Sequence, residues 1–240
     1  MSLAAVTLDG AGTLFAVAEP VGGTYARLAA RHGIRADPAD VERRFRAAFV
    51  AAPPLAFPGT SPAQLAGHER AWWHAVVRQA LGDADPAALD AAFDTLWAHF
   101  AAPEAWRVFP DVAPALAALR ARGLRLAIVS NFDTRLLRLV DGLGLARLVD
   151  DVVPSTQAGA AKPDPAIFRA ALARLGARPA AALHVGDHAA VDVAGARAAG
   201  MHAALLARGA EAGTPGVPRL ASLAELPALV DALGSRTGQP

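Results

Sequence analysis

The chain has 240 residues, 54% of them hydrophobic, enough to bury a core in one domain or in one domain with a smaller insert. Its formal net charge is +1 and its 22 arginines are scattered, so no basic face for nucleic acid is evident. It has no cysteine, which removes disulfides, thiolate metal sites and thiol nucleophiles.

No apolar run reaches the length of a membrane span, and no N-terminal stretch reads as a signal peptide, so a cytoplasmic protein is expected. The first predicted element is the apolar run 3–8, read as a buried strand ending at Asp9 and followed by the loop Gly10-Ala11-Gly12-Thr13. From about Pro20 to Phe100 the apolar spacing is helical, in stretches 21–33, 38–51, 61–82 and 86–101, and no strand is predicted there. After Pro110 the pattern alternates. A helix over 111–122 stops at Gly123, and a strand over 124–129 ends at Ser130-Asn131. Then come a helix at 134–142, a short strand at 151–153, a helix at 165–175 and a strand at 182–185. A helix near 190–199, a strand at 203–206 and a helix at 222–233 close the chain.

Strands alternating with helices imply a parallel sheet covered on both faces. The expected fold is therefore α/β: a Rossmann-like, doubly wound core built from residues 1–15 and 107–240, with a smaller all-helical unit over 16–106.

In such a sheet ligands bind at the carboxyl ends of the strands. The first predicted strand ends on Asp9, the second on Ser130 and a later one on Gly186-Asp187, with Asp192 five residues on. Lys162, the single lysine of the chain, lies in the loop Ala160-Ala161-Lys162-Pro163-Asp164-Pro165. Three carboxylates, a hydroxyl and an ammonium at one edge suit phosphoryl transfer. A carboxylate can attack phosphorus, hard oxygen ligands suit Mg²⁺, and a lysine and a hydroxyl can hold phosphate oxygens. Asp164-Pro165 reads as the cap and first residue of the next helix.

Asp9-Gly10-Ala11-Gly12-Thr13, Ser130-Asn131, Lys162-Pro163 and Gly186-Asp187-His188-Ala189-Ala190-Val191-Asp192 together resemble, in order and over nearly the whole chain, the motifs of the haloacid dehalogenase superfamily. The resemblance implies a hydrolase with a helical cap inserted after the first strand, acting on a small phosphorylated molecule. It implies Asp9 as nucleophile and Mg²⁺ ligand, Ser130 and Asn131 as binders of the transferred phosphoryl group, and Lys162 as the group steadying charge on both. It gives Asp187, Asp192 and the backbone carbonyl of Ala11 as the remaining metal ligands.

Ala11 departs from the pattern. Family phosphatases carry at that position the aspartate that protonates the leaving group and then activates water, a contribution of ~10²–10⁴-fold. Three readings follow. The first is a metal-dependent phosphatase favouring good leaving groups such as acyl or aryl phosphates, with His188 or Asp133 as weak candidates for a replacement base. The second is a protein that binds phosphate and metal with little turnover. The third, carbon-centred hydrolysis, has less support. Alanine at this position resembles phosphonoacetaldehyde hydrolase, but the predicted cap holds no lysine for a Schiff base, and the retained Asp187–Asp192 pair argues against a metal-free dehalogenase.

Glu19, Tyr25 and the loop 53–58 are candidates to line the mouth beneath a cap. Trp72, Trp73, Trp97 and Trp106 read as packing and hinge residues, with one of the adjacent pair expected between cap and core. His184, on a buried strand, reads as a hydrogen-bonded core histidine.

Overall fold

A computed structural model describes residues 3–208 and 215–236 of the chain. In chain order it comprises β1 (Ala5–Leu8), β2 (Phe15–Val17), α1 (Val21–Ala29), α2 (Pro38–Ala51), α3 (Pro62–Leu81), α4 (Pro86–Ala101), β3 (Trp106–Val108) and α5 (Val112–Ala121). There follow β4 (Arg125–Ser130), α6 (Arg135–Gly142), β5 (Asp151–Pro154), the short α7 (Ser155–Ala158), α8 (Pro165–Leu175) and β6 (Ala182–Gly186). The last elements are α9 (Ala194–Ala198), β7 (His202–Leu206), β8 (Arg219–Leu220) and α10 (Leu226–Arg236).

Six strands form one parallel sheet in the order β5-β4-β1-β6-β7-β8. Strand side chains alternate between faces, and the core divides accordingly. Val6, Leu8, Leu126, Ile128, Leu183 and Val185 pack with residues of α5, α6 and α10, whereas Ala5, Ala127, Val129 and Ala182 pack with α8 and α9. Helices cover both faces, as the alternating pattern predicts. The chain leaves β1 for β4 on one side and β6 on the other. That reversal of strand order is where an open α/β sheet places its ligand site, and Asp9 follows directly after β1.

The helical stretches fall where the periodicity places them, and their starts have a chemical cause. Asp37, Asp85 and Asp164 each accept a backbone N–H of the helix they precede, and each is followed by proline at the first helical position. Helices α1 to α4 pack around their own apolar cluster, including Tyr25, Leu28, Val77, Leu89, Phe93 and Leu96.

Three strands escaped the pattern. β2 and β3 pair antiparallel on either side of the four helices, Phe15 opposite Val108 and Val17 opposite Trp106. β8 holds only two residues at the sheet edge. Runs of two or three residues carry no readable period. The helix expected at 190–199 begins as a π turn at Ala189–Val193 before α9, and α10 starts at Leu226 after a 3₁₀ turn at Leu223–Glu225. No helix among the described residues is long and apolar enough to cross a membrane.

Candidate active site

The loops after β1, β4 and β6 and the loop before α8 bring the predicted residues to one edge of the sheet. Asp9 is buried, and its N–H donates to the Val185 carbonyl at 2.9 Å, which fixes the loop after β1 against β6. The buried Lys162 Nζ donates to Asp9 Oδ1 at 2.5 Å and to Asp192 Oδ1 at 2.6 Å. The Ser130 hydroxyl reaches Asp9 Oδ1 at 3.3 Å. Ligand oxygens of Asp9, Asp187 and Asp192 all lie within 4.8 Å of one another.

Glycines permit this crowding. Gly12 has φ +95°, and a Cβ there would fall 2.2 Å from Asp187 Oδ2. A Cβ at Gly186 would fall 2.2 Å from Asp192 Cγ. Any side chain at either position would push a carboxylate out of the cluster.

The carboxylates sit in unequal surroundings. Burial pushes the Asp9 carboxyl up to about 6; Lys162 opposes this, and repulsion from Asp192 adds to it. Asp192 is also desolvated, yet Lys162 and His184 hold it well below the usual carboxylate range, and it accepts the His188 N–H at 3.0 Å as well. Burial raises Asp187, and the Asp192 charge adds to the rise. Burial alone would lower Lys162, but the two carboxylates outweigh it and keep the ammonium above its ordinary value. Three carboxylates thus share one ammonium, an excess of negative charge that a divalent cation would balance.

His184 is the buried core histidine the sequence suggests. Burial depresses its pKa, leaving the ring neutral. Its Nε2 lies 3.2 Å from Asp192 Oδ1 and its Nδ1 lies 2.8 Å from the Thr7 hydroxyl. A carboxylate only accepts, so Nε2 donates to Asp192 and the Thr7 hydroxyl donates to Nδ1. The histidine therefore orients Asp192.

The Asn131 side chain is engaged within the protein. Its Nδ2 donates to the Lys162 carbonyl at 2.8 Å, and its Oδ1 accepts the Lys162 N–H at 2.7 Å. It clamps the lysine loop. Ala11 is exposed. Of the two candidate replacement bases, Asp133 is fully buried and occupied: it accepts the Arg135 N–H, the Arg135 guanidinium and Trp73 Nε1, the last at 2.7 Å. His188 is exposed.

Sequence reasoning missed several supports. Glu69 of α3 is buried and accepts the Thr134 N–H at 2.9 Å, the Thr134 hydroxyl at 2.6 Å and the Thr156 hydroxyl at 2.5 Å. Arg208 forms a two-pronged pair with Asp111 and donates to the Thr13 carbonyl at 2.9 Å, tying the loop after β1 to the start of α5. Of the adjacent pair, Trp73 reaches from the four helices to Asp133 after β4, while Trp72 packs with Leu55 and Val76. Glu19 instead pairs with Arg27 at the surface, and the 53–58 loop is anchored where the Ser155 hydroxyl donates to the Leu55 carbonyl at 2.5 Å.

The strand order, the helical segment between β1 and β4, and the Asp9–Lys162–Asp192 cluster define a class of α/β hydrolase. A family described as haloacid dehalogenase-like hydrolase matches residues 3–200, and the chain belongs to it. It is 40% identical over 205 residues to haloacid dehalogenase-like hydrolase domain-containing protein 3 of Mus musculus, covering 84% of this chain and 81% of that protein. It is 39% identical over 136 residues to a phosphoserine phosphatase of Thermus thermophilus, covering 56% of this chain and 54% of the relative. Among solved structures, a HAD phosphatase from Thermococcus onnurineus superimposes with a TM-score of 0.69 at 25% identity, covering 95% of this chain and 98% of that one.

Proposed function

We propose that the protein is a Mg²⁺-dependent phosphatase of small phosphorylated molecules that works through an aspartyl-phosphate on Asp9, without the usual acid/base carboxylate. The observation that carries this reading is the buried Asp9–Lys162–Asp192 cluster at the strand-order reversal, with Asp187 and Ser130 beside it. The partial relative named for phosphoserine supports it.

Asp9, Asp187, Asp192 and the Ala11 carbonyl would hold the cation, which when bound would neutralise phosphate charge. The Asp9 carboxylate attacks phosphorus. The bond from phosphorus to the ester oxygen breaks, and its electron pair leaves with that oxygen. Lys162 and Ser130 stabilise the negative charge on the phosphoryl oxygens. With alanine at position 11, the leaving oxygen takes its proton from solvent. Water then adds to phosphorus, the bond to Asp9 breaks, and phosphate departs. We assign α1 to α4, within residues 16–106, as a cap over this edge, held to the core of residues 1–15 and 107–240 by Glu69 and Trp73.

The exposed methyl of Ala11 and the occupied Asp133 favour a second reading, a protein that binds phosphate and Mg²⁺ with little turnover. A panel of phosphate esters assayed with and without Mg²⁺ separates the two. The first reading predicts cation-dependent phosphate release that Asp9→Asn abolishes; binding of Mg²⁺ and phosphate esters with no release on any ester contradicts it.

A further inference from the structure

On the face of the sheet that meets α8 and α9, Ala5, Val129 and Ala182 pack against Phe168 and Leu172. Two polar side chains interrupt this apolar layer. Thr7 and His184 are direct neighbours in the β1–β6 register, and both are fully buried. Strand alternation puts Thr7 on the face of Ala5 and His184 on the face of Ala182. The Phe168 ring meets the His184 ring edge to face, with centroids 4.9 Å apart. A valine and a leucine would fill the same layer with no polar group to desolvate, so packing alone gives no reason for this pair.

The pair leads to Asp192. The Thr7 hydroxyl donates to His184 Nδ1 at 2.8 Å, and Nε2 on the far side of the ring donates to Asp192 Oδ1 at 3.2 Å. Asp192 Oδ1 also accepts Lys162 Nζ at 2.6 Å, and Oδ2 accepts the His188 N–H at 3.0 Å. A carboxylate has about four lone-pair positions. These donors leave Asp192 about one of them, on Oδ2, for any further partner. Of the donors, Lys162 is divided with Asp9, and the His188 N–H lies at the start of the turn that carries Asp192. His184 is the one fixed to the sheet. Without it, Oδ1 depends on a lysine that a second carboxylate also pulls.

We infer that Thr7 is a positioning residue for the cation site: by holding the His184 ring with its proton toward Asp192, it keeps one Asp192 oxygen turned to Lys162 and a position on the other open to a divalent cation. Thr7 acts through His184 and touches neither the cation nor Asp192. The inference rests on the cation half of the proposed function and not on turnover. Groups that orient a ligating carboxylate typically change metal affinity by about 10–100-fold.

Calorimetric titration of the whole protein with Mg²⁺, at one fixed pH, tests this on the wild type and on Thr7→Val, Thr7→Ala and Thr7→Ser. Thr7→Val keeps the shape, loses the hydroxyl, and is expected to weaken Mg²⁺ binding by at least ~10-fold. The alanine and serine variants differ from each other only by the hydroxyl oxygen. Serine is expected to bind close to the wild type and alanine as weakly as valine. A threonine that serves the fold alone predicts otherwise: Thr7→Val with a lowered melting point and wild-type Mg²⁺ affinity overturns the proposal. Equal affinities in the alanine and serine variants overturn it too, and they decide the matter if Thr7→Val does not fold. Nitrogen-15 NMR of the wild type, with His184 assigned by its loss in His184→Gln, reads the tautomer without any change at Thr7. Nε2 protonated and Nδ1 bare is expected, and a proton on Nδ1 overturns the proposal. A wild type that binds no Mg²⁺ contradicts the cation half of the proposed function and removes this inference with it, whereas equal binding by wild type and Thr7→Val contradicts this inference alone.

Discussion

At the carboxyl edge of the sheet, one buried cation, Lys162, is shared by Asp9 and Asp192, with Asp187 close by. Across the boundary with the four helices, another cation, Arg135, is matched by a single buried carboxylate, Asp133, and stacks on Trp97. The first cluster carries surplus negative charge in a desolvated place, whereas the second is balanced. Charge imbalance is costly to bury and persists where a ligand completes it. The contrast separates the place where we propose that chemistry is performed from the place where two parts of the molecule are fitted together.

The largest expected effect tests the unbalanced cluster. Asp9→Asn keeps the shape but removes the nucleophile, so Mg²⁺-dependent phosphate release falls to background, a loss of at least ~10⁴-fold where wild-type activity permits that range to be read. Phosphate release by colorimetric assay checks it, and retained turnover breaks the assignment. Next in size, Ala11→Asp restores a carboxylate in the exposed position where family phosphatases use one and raises kcat by ~10²-fold. Steady-state kinetics on an alkyl and an aryl ester should show the larger gain on the alkyl ester, whose leaving group most needs the proton.

The balanced side responds in stability. Glu69→Ala leaves the Thr134 N–H and two hydroxyls without their buried acceptor and costs ~2–3 kcal/mol, read by urea unfolding. A cost near zero would mean that the contact between α3 and the start of α6 is incidental. The smallest effect concerns Asp111. Burial would raise its pKa, but hydrogen bonds from Arg208, Ser222 and the Leu223 N–H outweigh this and bring it from 3.8 to about 2. Because the folded value is depressed, this contribution is present above pH 3.8 and is lost as pH falls through about 2. Asp111→Asn is expected to lower stability by ~1–2 kcal/mol at neutral pH, with the difference from wild type vanishing toward pH 2. A difference independent of pH would assign the effect to packing.

Much of this architecture is legible in the sequence. The four helical stretches show their period, two of them carry aspartate-proline starts at 37–38 and 85–86, α8 carries another at 164–165, and the strand ends announce Asp9, Ser130 and Asp187. What stayed hidden depends on contacts distant in sequence. β2 and β3 are short and have meaning only as a pair across 88 intervening residues. The carboxylate of Glu69 lies in an alanine-rich helix, and nothing local distinguishes it from a solvated charge until Thr134 and Thr156 arrive. Asn131 reads as a phosphate binder because it follows Ser130, yet its amide faces the Lys162 backbone, a partner 31 positions away.

The central claim is that Asp9 can attack phosphate while position 11 no longer manages the proton. Rapid mixing of the wild-type protein with an aryl phosphate and Mg²⁺, followed by acid quench and mass analysis, tests it most directly. The account predicts a burst of phenol near one equivalent per chain, phosphate covalently held on Asp9, and slow release thereafter that Ala11→Asp accelerates. No burst and no phosphorylated Asp9, with the ester and Mg²⁺ nonetheless bound, would contradict it.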